Sequence, residues 1–328
     1  MTKNDPILCV KNLRTELALS SGAIEVVRGV SFSVNKGETL GIVGESGSGK
    51  SMTALSIMRV LPRPIGRIAG GSIRLDGRDL VQLTESEMTR IRGREIGMIL
   101  QDPHTSLNPV YTIGNQVIEA LQINQQRGGL LEKAISLLKK VNVADAARRV
   151  HAFPHQMSGG MKQRVVGAIS IAGAPKVIIA DEPTTALDVT IQLQYLELLE
   201  QIQQETGTAI VFITHDLGIV ARLCHRLVVM YAGRIVEEGT VDDVFNAPSH
   251  PYTVALLNSV PHVDRKVDRL YAIKGNPPAL HEIGTGCSFA PRCPLADTRC
   301  KTVSPPTVPG KNHGQGHFAA CWKTGEMA

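Results

Sequence analysis

A chain of 328 residues with 43% hydrophobic content is longer than one typical domain and has ample apolar material for a core, which predicts two or three units and excludes a disordered polypeptide. No apolar run approaches the roughly 18 residues of a membrane span, and the polar start Met1-Thr2-Lys3-Asn4-Asp5 lacks the apolar stretch of a signal peptide, so a cytoplasmic protein is expected. The formal charge of +5 comes with 4% aromatic residues and no long basic run, and reads as a solvated surface with no nucleic-acid partner.

Along the chain, Ile7-Leu8-Cys9-Val10, Ile24-Glu25-Val26-Val27 and Val30-Ser31-Phe32-Ser33-Val34 alternate as an antiparallel β layer does. The turn Asn35-Lys36-Gly37 leads into a short buried strand, Glu38 to Val43. Next comes Gly44-Glu45-Ser46-Gly47-Ser48-Gly49-Lys50-Ser51, which matches the phosphate loop G-x-x-x-x-G-K-[ST], with a helix expected from Ser51 to Leu61. Glycines let the backbone turn its N–H groups around phosphate oxygens, and the helix N-terminus favours anionic charge. Lys50 would reach the terminal phosphates and Ser51 would ligate Mg²⁺.

From Thr84 to Val141 the patterns are helical, interrupted at Asn108-Pro109 and Gly128-Gly129, which predicts a helical insertion. Strand signals return at Lys176 to Ala180, Ala209 to Ile213 and Arg226 to Met230, separated by helical stretches, as in a wound α/β sheet. After about Asn246 the texture turns Pro-, Gly- and His-rich, and a boundary is placed there. Each nucleotide motif occurs once, with no internal repeat.

Val177-Ile178-Ile179-Ala180-Asp181-Glu182 is an apolar strand ending in two carboxylates. Asp181 could hold Mg²⁺ through its water shell, and Glu182 could accept a proton from water attacking a γ-phosphate. Asn35-Lys36 continues as Gly37-Glu38 and lacks a guanine-reading aspartate, which argues against a GTPase switch.

The ordered set resembles the nucleotide-binding subunits of ABC transporters over roughly residues 5 to 245. In that family Gln101 is the Q-loop glutamine, Ser158-Gly159-Gly160-Met161-Lys162 the signature, Ala186-Leu187-Asp188 the D-loop and His215 the switch histidine. The resemblance implies an α/β P-loop NTPase core of ABC type over residues 1–245, with an antiparallel β layer and a helical subdomain at about 92–165. A small cysteine-containing C-terminal domain over 246–328 follows. It implies catalytic roles for Glu182, His215 and Gln101, and ATP held by Gly44, Ser46, Gly47, Ser48, Gly49, Lys50, Ser51, Met52 and Asp181. Mg²⁺ would rest on Ser51, Gln101 and Asp181, while Ser158, Gly159, Gly160 and Asp188 would face ATP on another subunit. One copy of each motif then makes the monomer catalytically incomplete.

Gln101-Asp102-Pro103 with Ser106-Leu107-Asn108-Pro109, the run Asp181 to Thr190, His250-Pro251-Tyr252-Thr253 and the segment Gly286 to Pro294 resemble the oligopeptide and dipeptide importer branch. That branch implies an ATPase energising peptide import at the cytoplasmic face of the membrane. Its partners would be a second ATP-binding subunit, favoured as a paralogue, two integral-membrane permeases and an extracytoplasmic solute-binding protein. Nickel, glutathione and opine importers share the pattern, and a soluble ABC ATPase acting on nucleic acid or ribosomes is the rival class. Met161 stands where the signature commonly has glutamine, and no aromatic between Arg14 and Val30 is available to stack on adenine, leaving Leu17 or Leu19 for that contact.

Cys287, Cys293, Cys300 and Cys321 gather near the C-terminus, while Cys9 and Cys224 are isolated and read as small apolar core residues. In a reducing compartment such a group indicates a metal or cluster site before a disulfide framework. The spacing Cys287-x5-Cys293-x6-Cys300-x20-Cys321 lacks the paired C-x2-C of zinc ribbons. The branch resemblance implies a 4Fe-4S cluster, with Cys₄ zinc and four free thiols as the alternatives.

Overall fold

The structure is a computed structural model that describes residues 5–20, 22–124, 127–185, 187–260, 271–311 and 316–324. The alternation at the start of the chain becomes two long strands, β1 (Leu8–Leu19) and β2 (Gly22–Val34), followed by the fully buried β3 (Thr39–Val43) and the helix α1 (Lys50–Met58). Helix α1 stops at Arg59, short of Leu61, because Arg59 turns left-handed at φ 51° and its N–H closes the last turn. Strands β4 (Gly66–Leu75) and β5 (Arg78–Asp79) precede α2 (Glu85–Ile91), which Thr84 and Glu87 start with a capping box. Then come β6 (Ile96–Ile99), α3 (Pro103–Ser106), α4 (Ile113–Ile123), α5 (Leu130–Lys140), α6 (Ala146–Arg149) and α7 (Gly159–Ile171). The α/β alternation continues through β7 (Val177–Asp181), α8 (Val189–Thr206), β8 (Ala209–Ile213), α9 (Leu217–Leu223), β9 (Arg226–Tyr231) and β10 (Arg234–Thr240). The tail adds α10 (Val241–Asn246), α11 (Pro251–Asn258), α12 (Thr298–Thr302), β11 (Val308–Pro309) and β12 (Phe318–Ala319).

The chain divides into two compact units. The first comprises Met1–Leu8, Ser33–Thr39 and Arg74–Ile213; the second comprises Cys9–Phe32, Leu40–Ile73 and Thr214–Ala328.

In the first unit β6, β7 and β8 run parallel, with Ile96 opposite Val177 and Val177 opposite Ala209. Both β7 and β8 are buried along their whole length, which is why their sequences read as continuous apolar runs. Strand β6 lies inside the stretch whose pattern looks helical. Four residues are too few to show a period, and Gly97 marks the strand by a close approach: a Cβ there would meet the Ser170 carbonyl oxygen at 2.4 Å. Helices α4 and α5 pack on each other and on α7. Arg164 of α7 is buried and donates to the Val141 carbonyl at 3.2 Å and to Gln194 of α8 at 2.9 Å.

In the second unit β1 lies between β2 and β4. The other strands of this unit are hydrogen-bonded in the order β11-β12-β10-β9-β3, with β3 and β9 parallel and the remaining pairs antiparallel. The tail is built into this unit: Ala319 of β12 pairs with Glu237 of β10, and Tyr252 and Phe289 share a core cluster with Val43, Leu227 and Tyr231. Among the described residues no helix is long and apolar enough to cross a membrane.

Candidate functional site

The phosphate loop leaves β3 at Gly44, in the second unit, and two of its glycines are there for backbone reasons. Gly44 has φ +153°, and a Cβ on it would sit 2.2 Å from the Met230 carbonyl oxygen. Gly49 has φ +98°, and its Cβ would fall 2.8 Å from the Val26 carbonyl oxygen. Gly49 is also the N-cap of α1 and supplies no side-chain acceptor, so the first-turn N–H groups face outward with the positive end of the helix dipole. Lys50 is 5% exposed, and its Nζ donates to the carbonyls of Gly44 at 2.7 Å and Glu45 at 3.1 Å. Ser46, Gly47 and Ser51 are exposed, Met52 is half-buried, and the buried Ser48 Oγ has no hydrogen-bond partner. The uncapped helix N-terminus with the Lys50 ammonium beside the loop carbonyls makes a receptor for a polyanion.

His215 belongs to the same unit and is exposed just after Thr214, whose N–H donates to the Ile42 carbonyl at 3.2 Å. Asp216 starts α9 by accepting the N–H groups of Gly218 and Ile219. On β1, Leu17 is half-buried and Leu19 exposed.

The first unit holds the other expected groups. Asp181 ends β7 and is buried; Glu182 follows at φ +46°, an uncommon conformation for a residue with a side chain, fixed by its N–H on the Ile213 carbonyl at 2.9 Å. The Glu182 carboxylate accepts Gln101 Nε2 at 3.2 Å and Thr185 Oγ1 at 3.0 Å. Gln101 and Glu182, 81 positions apart in sequence, therefore meet directly. Ser158 caps α7 by accepting the Met161 N–H at 3.3 Å, which presents Gly159 and Gly160 as the first residues of the helix. Gly159 has open space around it, whereas a Cβ on Gly160 would meet Ile191 Cγ2 at 2.6 Å. Asp188 caps α8 by accepting the Ile191 N–H at 3.0 Å, so the signature and D-loop helix starts share Ile191 as a neighbour. Of the D-loop triplet, Ala186 lies outside the described residues.

Sequence reasoning missed a set of tail residues on the phosphate loop. Arg292 grips Glu45 with both arms of its guanidinium, Nη1 to Oε2 at 2.6 Å and Nη2 to Oε1 at 2.9 Å. It also donates to Tyr231 Oη at 3.3 Å and the Lys274 carbonyl at 3.1 Å, and it lies 5.8 Å from the Tyr231 ring centroid and 6.0 Å from that of Phe289. The Glu45 carboxylate holds the Arg292 pKa above its ordinary value. Tyr252 Oη accepts the Glu45 N–H at 2.8 Å. The only sequence signal for this clasp is that Phe289-Ala290-Pro291-Arg292-Cys293 falls in the tail segment that resembles the importer branch.

All four tail cysteines line one small cavity together with His250, Phe289 and Trp322. Burial pushes the thiols of Cys287 and Cys293 up, and that of Cys321 to about 11. The Cys287 N–H donates to the Cys300 carbonyl at 2.8 Å, and Asp297 caps α12 through the Cys300 N–H at 2.9 Å. Among the described residues no three His, Cys, Asp or Glu side chains are disposed about a single metal ion. Cys9 and Cys224 are half-buried as residues, with Cys224 packed against the core cluster that includes Val220 and Leu227.

Two family models match the chain: ABC transporter over residues 27–185, and the C-terminal region of oligopeptide/dipeptide transporters over residues 236–300. A probable peptide ABC transporter ATP-binding protein of Sinorhizobium fredii is 49% identical, the match spanning 99% of this chain and 97% of that protein. The chain belongs to the ATP-binding subunits of ABC transporters, in the oligopeptide/dipeptide branch. The oligopeptide transport ATP-binding protein AppD of Bacillus subtilis is 47% identical over 96% of each chain, and OppD of Haemophilus influenzae 43% over 98% of each. A solved dimeric structure of the ATP-binding cassette MJ0796, in a post-hydrolysis state bound to ADP and Pi, matches with a TM-score of 0.64 at 28% identity. That match covers 71% of this chain and 98% of the cassette. The α/β P-loop fold is thus that of an ABC ATPase, an ATPase coupled to transport that uses ATP and Mg²⁺ and works with membrane permeases.

Proposed function

We propose that this ATPase energises the import of di- or oligopeptides from the cytoplasmic face of the membrane, bound there peripherally through its partners. Those partners are a second, paralogous ATP-binding subunit, two permeases and a solute-binding protein on the far side. The observation that carries the reading is the phosphate loop, whose uncapped helix start and buried Lys50 make a polyanion receptor. Gly44 to Met52 hold the ATP phosphates, and Mg²⁺ is taken by Ser51, Gln101 and Asp181. Glu182 accepts the proton of the attacking water, positioned by Gln101, and His215 senses the γ-phosphate. Ser158, Gly159, Gly160 and Asp188 address the nucleotide held by the paired subunit, a division that the dimeric form of the related cassette supports. Leu17 or Leu19 packs against adenine.

Residues 1–245 form the nucleotide-binding domain, with its helical subdomain at about 92–165, and 246–328 the appended peptide-importer region. Within that region Cys287, Cys293, Cys300 and Cys321 hold a 4Fe-4S cluster. Convergence of the four thiols on one cavity supports this, with Cys₄ zinc as the alternative. Bound, the cluster would tie together four points of the tail.

The test is reconstitution with the copurifying permeases. ATP hydrolysis should be slow for the isolated chain and should rise when partners, binding protein and a peptide are supplied. Stimulation by nickel, glutathione or an opine in place of peptide would reassign the cargo, and full turnover by a strictly monomeric preparation would overturn the composite site.

A further inference from the structure

A cavity of about 280 Å³ lies in the second unit, with walls from β2, β10 and the tail. Two guanidiniums line it. Arg28 Nη1 donates to Ser288 Oγ at 3.2 Å, and Arg234 Nη1 donates to Ser304 Oγ at 2.7 Å. Among the described residues neither arginine lies within ion-pair distance of a carboxylate, and Arg234 Nε is buried with no acceptor at all. The acids on the wall are engaged elsewhere. Glu237 is fully buried, accepts the N–H groups of Ser249 and His250 and pairs with His317 Nε2 at 2.9 Å, while Glu238 pairs with Arg226. Desolvation, then the neighbouring Arg234 charge, lower the pKa of Arg28 against a smaller opposing pull from Glu25, and an anion beside both guanidiniums would offset that like-charge contact.

We infer that this cavity is a binding site for a small tetrahedral oxyanion, inorganic phosphate or a compact phosphomonoester, gripped by Arg28 and Arg234. Guanidinium forks suit oxyanions. Ser288 and Ser304 each accept one arginine N–H and keep their own O–H to donate, so the donors come from several directions, matching four tetrahedral oxygens better than a planar carboxylate. The cavity offers about 280 Å³, room for phosphate with a short organic stub. Cys287 lines both this cavity and the cysteine cavity, so an anion here would fasten β2 and β10 to the tail beside the thiols.

The experiment measures inorganic phosphate binding to the full chain carrying Lys50→Ala, which disables the phosphate loop as a competing anion site. Phosphate should still bind saturably and raise the melting temperature. Arg28→Gln or Arg234→Gln in that background should weaken it about tenfold each, and Ser288→Ala with Ser304→Ala, which leaves both charges in place, several-fold. Glycerol phosphate should compete and acetate should not. Phosphate binding lost with Lys50→Ala alone, or unchanged by the arginine and serine substitutions, would overturn the site; acetate competing as well as phosphate would overturn the tetrahedral assignment. Should an arginine variant fail to fold, the serine pair decides the question: weakened phosphate binding upholds the site and unchanged binding overturns it.

Discussion

Replacing Arg292 with alanine tests whether the tail holds the phosphate loop in its working shape. The Arg292 side chain is 4% exposed and Glu45 27%. Removing one partner of a buried pair costs about 3–5 kcal/mol because a charge is left uncompensated; Glu45 is partly solvated and can recover some hydration, so a loss of about 2–3 kcal/mol is expected. The Glu45 backbone is itself part of the loop, with its N–H on Tyr252 and its carbonyl on Lys50 Nζ. If about half of that loss falls on the loop geometry that ATP selects, roughly 1.4 kcal/mol is tenfold in Kd. Arg292→Lys should recover little, since one ammonium cannot replace a two-armed grip. The assay is equilibrium binding of a fluorescent ATP analogue alongside thermal unfolding, run as a double-mutant cycle with Glu45→Ala. The double variant should lose clearly less than the sum of the singles. Wild-type affinity and melting temperature in Arg292→Ala, or strict additivity, would refute the clasp.

Glu182→Gln should retain ATP binding while hydrolysis in the complete transporter falls at least a hundredfold, as expected for loss of a general base; wild-type turnover at this subunit's site removes Glu182 from the mechanism. Gly44→Ala should abolish nucleotide binding and lower the melting temperature, because the new Cβ would fall 2.2 Å from the Met230 carbonyl oxygen; an unaffected protein would show that the loop relaxes freely. Anaerobically purified protein should be brown, with about four iron and four sulfide per chain, and Cys293→Ser should reduce both more than it impairs ATP binding; stoichiometric zinc without iron would favour the Cys₄ alternative. Burial pushes the Cys224 thiol up to about 12 from an ordinary value of 9.0. The native state keeps this proton where the unfolded chain has lost it, so the contribution is complete below pH 9 and is lost as pH rises towards about 12. Urea titrations across that range should show a steeper alkaline decline for wild type than for Cys224→Ala, and identical slopes would count against the buried thiol.

The nucleotide motifs were legible because each is local. A phosphate loop needs eight consecutive residues, and the strand before it and helix after it can be read in the same window. The helix after the phosphate loop was readable for the same reason, whereas the caps Ser158, Asp188 and Thr84, each accepting an N–H of the turn that follows, were not read as helix starts. Strand β6 was not legible, since Ile96-Gly97-Met98-Ile99 is a strand by virtue of its pairing with β7, and nothing in four residues carries that partner.

The phosphate-loop clasp is hidden for a stronger version of the same reason. Glu45 and Arg292 are 247 positions apart, and neither residue type is unusual where it stands. Glu45 reads as a variable position of the loop pattern, and Arg292 as one more surface cation in a Pro-rich tail. Burial changes both readings. With Tyr231, Tyr252 and Phe289 excluding water around it, Arg292 requires an anion, and Glu45 is the carboxylate it meets. The adjacent Cys293 then gains a mechanical meaning. Whatever holds the cysteine segment in place also holds the arginine that grips the phosphate loop, so order in the tail and affinity for ATP become one coupled quantity.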